Sequence, residues 1–227
     1  MISDAMLTQE YFDTMNSLDG DLAGKRSARA YMDQSSAIVH HRVVGASFIP
    51  RLYNDEVWER FRFISETIHT ILCKVIERYR NDESYRMVFD YDPRLVELIL
   101  LPRGYDAILP FARADIFLNE DTLESAFCEL NGDGSAGLNE DREIVHSIEG
   151  SETFTRFAAH HQLESCELFK SWVSEFIAIY ETFKNKVAHP RFAICDYLDV
   201  GVVDEFRIFS EYFKQAGYEC VIAEVRD

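Results

Sequence analysis

Between Phe111 and Asn131 the sequence alternates twice with the two-residue period of a strand. In FARADIFL, residues 111–118, Phe111, Arg113, Asp115 and Phe117 fall on one face, and Ala112, Ala114, Ile116 and Leu118 on the other. The polar run Asn119-Glu120-Asp121-Thr122 reads as a turn. SAFCELN, residues 125–131, then alternates again, with Phe127, Glu129 and Asn131 on one side and Ala126, Cys128 and Leu130 on the other. An antiparallel hairpin centred near Thr122 sets Asp115 opposite Glu129 and Arg113 opposite Asn131. Two carboxylates directly across a ladder repel, so this pairing calls for a cation beside them. A slip of one residue would send Glu129 and Asn131 to the opposite face.

A glycine-rich loop follows at once, with Gly132, Gly134 and Gly137, and Asn139-Glu140-Asp141 then reads as a helix start. Carboxylates, an amide oxygen, an arginine and flexible backbone amides are therefore close together in sequence. Those are the components of a magnesium–phosphate site.

Arg113-Ala-Asp115 on one strand, Glu129-Leu-Asn131 on the next and the small-residue loop from Gly132 to Gly137 resemble the circularly permuted ATP-grasp ligases, the branch that includes glutathionylspermidine synthase. The run from Phe192 to Asp227, FAICDYLDVGVVDEFRIFSEYFKQAGYECVIAEVRD, also looks like the pre-ATP-grasp βαβ segment of these proteins, and the likeness extends from about Ala30 onward. The resemblance implies an ATP-dependent carboxylate–amine ligase that works through an acyl phosphate with Mg2+. It assigns magnesium to Asp115, Glu129 and Asn131, and gives Arg113 the catalytic role of clamping the carboxylate or the transferring phosphoryl group. Gly132, Gly134 and Ser135 would donate to acyl-phosphate oxygens, and Asp133 and Asn139 would face the amine. The family's ATP-holding lysines have no counterpart here, and nothing stands in for a P-loop. The expectation is an N-terminal portion of a longer enzyme, inactive by itself, whose partners are a small-molecule or peptide carboxylate and an amine.

Two other readings of the same stretch stand beside this one. Glu129, Asn131, Asp133, Gly134 and Glu140 fit places 1, 3, 5, 6 and 12 of an EF-hand calcium loop. Leu123, Ala126, Phe127 and Leu130 have the spacing its entering helix would need. Against it, the loop begins with Glu rather than Asp and carries Ala136 at its eighth place. The plainer reading makes Asp115 and Glu129 solvated residues of an exposed hairpin, although Arg113 and Asp115 interrupt an otherwise apolar strand.

A formal charge of −17 argues against nucleic acid and anionic membranes as partners, since both attract basic surfaces. The first residues, MISDAMLTQEYFD, lack the basic and apolar regions of a signal peptide. No apolar run approaches the roughly 18 residues of a membrane span. The five cysteines are widely spaced without a CxxC, which reads as reduced, buried thiols in a cytoplasmic protein. His40 and His41 fall on opposite sides of an extended chain, which disfavours joint metal ligation.

The spacing of apolar residues predicts an α+β protein. Residues 1–36 form an N-terminal segment with one loose helix over 8–18. Residues 37–190 combine helices over 54–80, 92–100, 139–148 and 160–187 with the hairpin. The stripe Val57, Trp58, Phe61, Ile64, Ile68 and Ile71 reads as the buried face of the first of these. Residues 191–227 read as a βαβ unit of strand, helix over 203–216 with Gly217 behind it, and strand.

Overall fold

The structure, a computed structural model, describes residues 3–39, 42–132 and 136–227. Among the described residues helices predominate, and the strands pair into three separate two-stranded sheets, in keeping with α+β. The chain groups into two compact units. The first comprises Met1–Asn54, Ala136–Ser174 and His189–Asp227, and the second Asp55–Ser135 and Glu175–Ala188. The N-terminal helices and the C-terminal βαβ unit share the first unit.

In the first unit, helices α1 (Asp4–Asn16) and α2 (Leu22–Met32) are followed by the short antiparallel pair β1 (Ile38–Val39) and β2 (Arg42–Val43). His40 and His41 lie outside the described residues. Helices α6 (Leu138–Glu149) and α7 (Glu152–Ala158) and the first half of α8 (Leu168–Glu181) come next. The parallel strands β5 (Arg191–Asp196) and β6 (Glu219–Glu224) then flank α9 (Val203–Gln215), with Arg191 opposite Glu219 and Asp196 opposite Glu224. Gly217, with φ +91°, follows α9 as the sequence predicts.

The core of this unit is aromatic. Tyr11 of α1 meets Phe157 of α7 edge-on at 5.3 Å. Phe169 and Trp172 of α8 close on Phe209 of α9 at 4.7 and 4.8 Å, and Phe213 reaches Phe192 of β5 at 5.0 Å. Each such ring contributes about 1.5–3 kcal/mol on burial.

Two helices here are absent from the sequence reading, and one side chain joins their starts. Asp21 is 6% exposed and left-handed at φ +46°. It accepts hydrogen bonds from the Gly24 amide at 2.9 Å, the Thr153 amide at 2.9 Å and the Thr153 hydroxyl at 2.7 Å. It thus caps α2 and satisfies an otherwise open amide in the first turn of α7, which Ser151 also caps. The helix expected over 160–187 is shorter, because it starts only at Leu168, where Glu167 accepts from the Lys170 amide at 2.6 Å.

In the second unit, α3 (Asp55–Asn81) leads through α4 (Glu83–Arg86) and α5 (Pro93–Leu100) to the hairpin β3 (Arg113–Leu118) and β4 (Ser125–Asn131). Arg80 near the end of α3 donates to the carbonyls of Ile99, Leu100 and Leu101 and so ties the end of α5 to it. Phe111 stacks on Phe176. The α3 stripe is only partly core: Val57 and Ile64 are buried, whereas Trp58 and Ile71 are exposed. Helical spacing identifies one face of a helix but not how much surface is available to cover it. The cysteines depart from expectation in the same way, since Cys220 is buried while Cys128, Cys166 and Cys195 are exposed.

Candidate functional site

The β3–β4 hairpin turns through residues 119–124. The Asn119 side chain accepts from the amides of Asp121 and Thr122 at 3.0 and 3.1 Å, its carbonyl accepts from the Leu123 amide at 2.8 Å, and Leu123 is left-handed at φ +57°. An Asx-type turn of this kind follows from Asn at its first position. On the turn side the pairs are Leu118 with Ser125, Phe117 with Ala126 and Ile116 with Phe127. On the far side they are Asp115 with Glu129, Ala114 with Leu130 and Arg113 with Asn131. Cys128 is the one residue passed over, a bulge in β4.

The pairing fixes the faces. Arg113, Asp115, Phe117, Glu129 and Asn131 share one. Ala114, Ile116, Leu118, Phe127 and Leu130 share the other, where Ser125 accepts a 3.2 Å hydrogen bond from Arg60 of α3. Phe127 therefore leaves the side on which simple alternation puts it with Glu129. The bulge reverses its parity while Glu129 and Asn131 keep theirs.

On the polar face the four residues form one connected set. The Arg113 Nε–H donates to Asp115 Oδ1 at 3.0 Å. With the Asn131 amide oriented to suit its neighbours, its oxygen accepts from Arg113 at 3.1 Å and its nitrogen donates to Glu129 Oε1 at 3.0 Å. The guanidinium is the cation that the facing carboxylates call for. Arg113 and Asp115 side chains are 47% and 41% exposed, so their attraction is screened and contributes about 1 kcal/mol or less. The set carries a net charge of −1 and presents hard oxygen donors to solvent.

The remaining predicted residues separate into three groups. Gly132 directly follows β4, with no atom within 4 Å of where a Cβ would stand, so a side chain would meet open space there. Asp133, Gly134 and Ser135 lie outside the described residues. Asn139 belongs to the first unit and is 1% exposed at the start of α6. Its side-chain amide donates to the Ser36 carbonyl at 2.8 Å and hydroxyl at 3.1 Å, and its backbone amide donates to Glu205 Oε2 at 3.0 Å. Its polar atoms thus serve an internal clasp. Glu129 lies within a strand, so the EF-hand reading lacks its entering helix.

Glu205 itself escapes a sequence reading, because a glutamate in the first turn of a helix is ordinarily a surface residue. Here it is 2% exposed and accepts from the amides of Gly137 and Asn139 across from its own helix. Burial pushes its carboxyl above the usual range, and the nearby Glu140 adds to that, while the amides of Asn139, Gly137 and Leu138 oppose it.

Among the described residues, no three His, Cys, Asp or Glu side chains converge as a metal cage. The hairpin offers two carboxylates and an amide oxygen. That set fits a hard ion that keeps several waters and borrows phosphate oxygens, and it does not fit a soft metal or an all-protein calcium cage. Among the described residues, no helix is long and apolar enough to cross a membrane. Comparison of the chain with protein-family models, curated proteins and solved structures yields no match.

Proposed function

We propose that the hairpin is the magnesium–phosphoryl end of a carboxylate–amine ligase site, in which ATP activates an acid for attack by an amine. The observation that carries this reading is the shared face and hydrogen-bonded connection of Arg113, Asp115, Asn131 and Glu129. In the reaction class, a substrate carboxylate oxygen takes the γ-phosphoryl group of ATP, releasing ADP and leaving an acyl phosphate. The amine nitrogen then bonds to the carbonyl carbon, the C–O bond to phosphate breaks, and the nitrogen loses a proton.

Arg113 is placed to hold the carboxylate before transfer and the phosphoryl oxygens after it, since a guanidinium matches both in geometry and charge. Asp115 accepts from its Nε–H and so orients that guanidinium. Asp115, Glu129 and the Asn131 amide oxygen would hold Mg2+, which neutralises charge on the phosphates when bound. Gly132 would supply a backbone amide at the strand end.

The test is an NMR titration with Mg2+ and acetonylphosphonate, an acyl-phosphate analogue with methylene in place of the bridging oxygen. Both together are expected to shift the Arg113 Nε–H and Asn131 side-chain signals with millimolar midpoints. Glu129→Gln and Asp115→Asn should each abolish the response. Identical titrations in the Glu129→Gln protein, or submillimolar calcium binding without phosphonate, would overturn the assignment.

A further inference from the structure

We infer that Phe117 is the stacking platform for the acid substrate, which makes the substrate class an arylalkyl carboxylic acid rather than a short aliphatic one. The inference rests on the ligase reading of the hairpin and adds to it the identity of the group next to the reacting carboxylate.

A single exposed phenylalanine is ordinary on a protein surface. What distinguishes Phe117 is its position. The register puts it on the polar face, two residues along β3 from Asp115, and opposite Ala126, a cross-strand neighbour too small to cover a ring. It is 69% exposed. Phe111, at the other end of the same alternation, is stacked on Phe176, whereas Phe117 makes no ring contact among the described residues.

The Arg113 guanidinium is held between the Asp115 carboxylate, two residues along the strand, and the Asn131 amide directly across the ladder. Asp115, the partner of the guanidinium, lies one two-residue step, ~7 Å, from Phe117 along the strand. An acid whose carboxylate rests on that guanidinium and whose ring is two carbons away reaches the phenyl face without bending the strand. The set's net negative charge is offset by the magnesium that the ligase reading places on Asp115 and Glu129. An aliphatic acid as small as acetate would leave the ring untouched.

NMR titrations with Mg2+ and either methylphosphonate or 2-phenylethylphosphonate test this, with the Arg113 Nε–H signal as the reporter. The aryl ligand should bind about fivefold tighter than the methyl ligand to the native protein, the scale of one aromatic contact. Phe117→Ala should erase that preference while leaving the methylphosphonate midpoint unchanged, and Phe117→Trp should retain it. Because the ring is on the surface, both variants should keep their fold. Equal midpoints for the two ligands in the native protein, or a preference that survives Phe117→Ala, would overturn the inference while leaving the ligase reading in place. If neither phosphonate moves the Arg113 signal, the ligase reading fails and this inference fails with it.

Discussion

Replacing Asp21 with alanine removes the acceptor for three donors at once: the Gly24 amide, the Thr153 amide and the Thr153 hydroxyl. Losing an N-cap costs about 1 kcal/mol. Each buried donor left without a partner costs about 1–3 kcal/mol more, and part of that returns because a buried carboxylate no longer has to be desolvated. Alanine must also adopt the left-handed backbone at φ +46°, worth about 1 kcal/mol. The net expectation for Asp21→Ala is a loss of about 3–5 kcal/mol in the first unit, measured by urea denaturation and by hydrogen exchange at the first turns of α2 and α7. Asp21→Asn should lose roughly half as much, because asparagine tolerates the backbone and its one carbonyl oxygen can still serve Gly24. The pH dependence follows from the same contacts. Burial acts to raise the Asp21 carboxyl, but the Thr153 and Gly24 donors, with Lys25 nearby, outweigh it and hold the carboxyl below its ordinary range. A depressed folded value means that the stabilisation is complete above the unfolded carboxylate pKa and is lost as pH falls through the folded one. The native protein should therefore lose stability below about pH 4 more steeply than Asp21→Asn does. Exchange at α2 and α7 that is unchanged in Asp21→Ala, or acid profiles that coincide, would refute the double-cap account.

Glu205 behaves with the opposite sign. Its folded carboxyl is raised, so its contribution is complete below the unfolded value and is lost as pH rises through the folded one. Glu205→Gln keeps an oxygen for the Gly137 and Asn139 amides without the buried charge. Thermal melts should show it gaining on the native protein as pH rises above the ordinary carboxylate range, and an advantage that shrinks over that rise would contradict the reasoning. Deleting Cys128 should regularise the hairpin and leave Asp115 facing Glu129, seen as persistent cross-strand NOEs between them. A changed partner for Glu129 would show that the bulge is not a simple insertion.

The sequence revealed the hairpin because alternation, a polar turn and a second alternation are each local signals. It also showed that Arg113, Asp115, Glu129 and Asn131 belong together, since side chains two residues apart on a strand share a face. The starts of α2 and α7 were not legible, because what fixes them is a contact between positions 21 and 153. Glu205 was hidden for the same reason: its partners lie more than 60 residues away, at Gly137 and Asn139. A local pattern can identify a cap beside its own helix, but not an acceptor brought to a helix by the fold.

The bulge at Cys128 shows how two local demands in the hairpin are reconciled. The turn organised by Asn119 and left-handed Leu123 sets Leu118 opposite Ser125. Continued without interruption, that register would put residue 128, not 129, opposite Asp115. Glu129 and Asn131 would then point to the face of Ala114 and Ile116, while Cys128 and Leu130 replaced them beside Asp115 and Arg113. The polar set needs the pairing one residue further on, with Asp115 opposite Glu129. One extra residue in β4 satisfies both, and its position between Phe127 and Glu129 leaves Phe127 on the Ile116 face and Glu129 on the Asp115 face. No glycine or proline marks the spot, so the irregularity has no signature in composition. It follows from the mismatch between turn and site, and the four site residues come to share a face because the ladder is broken there.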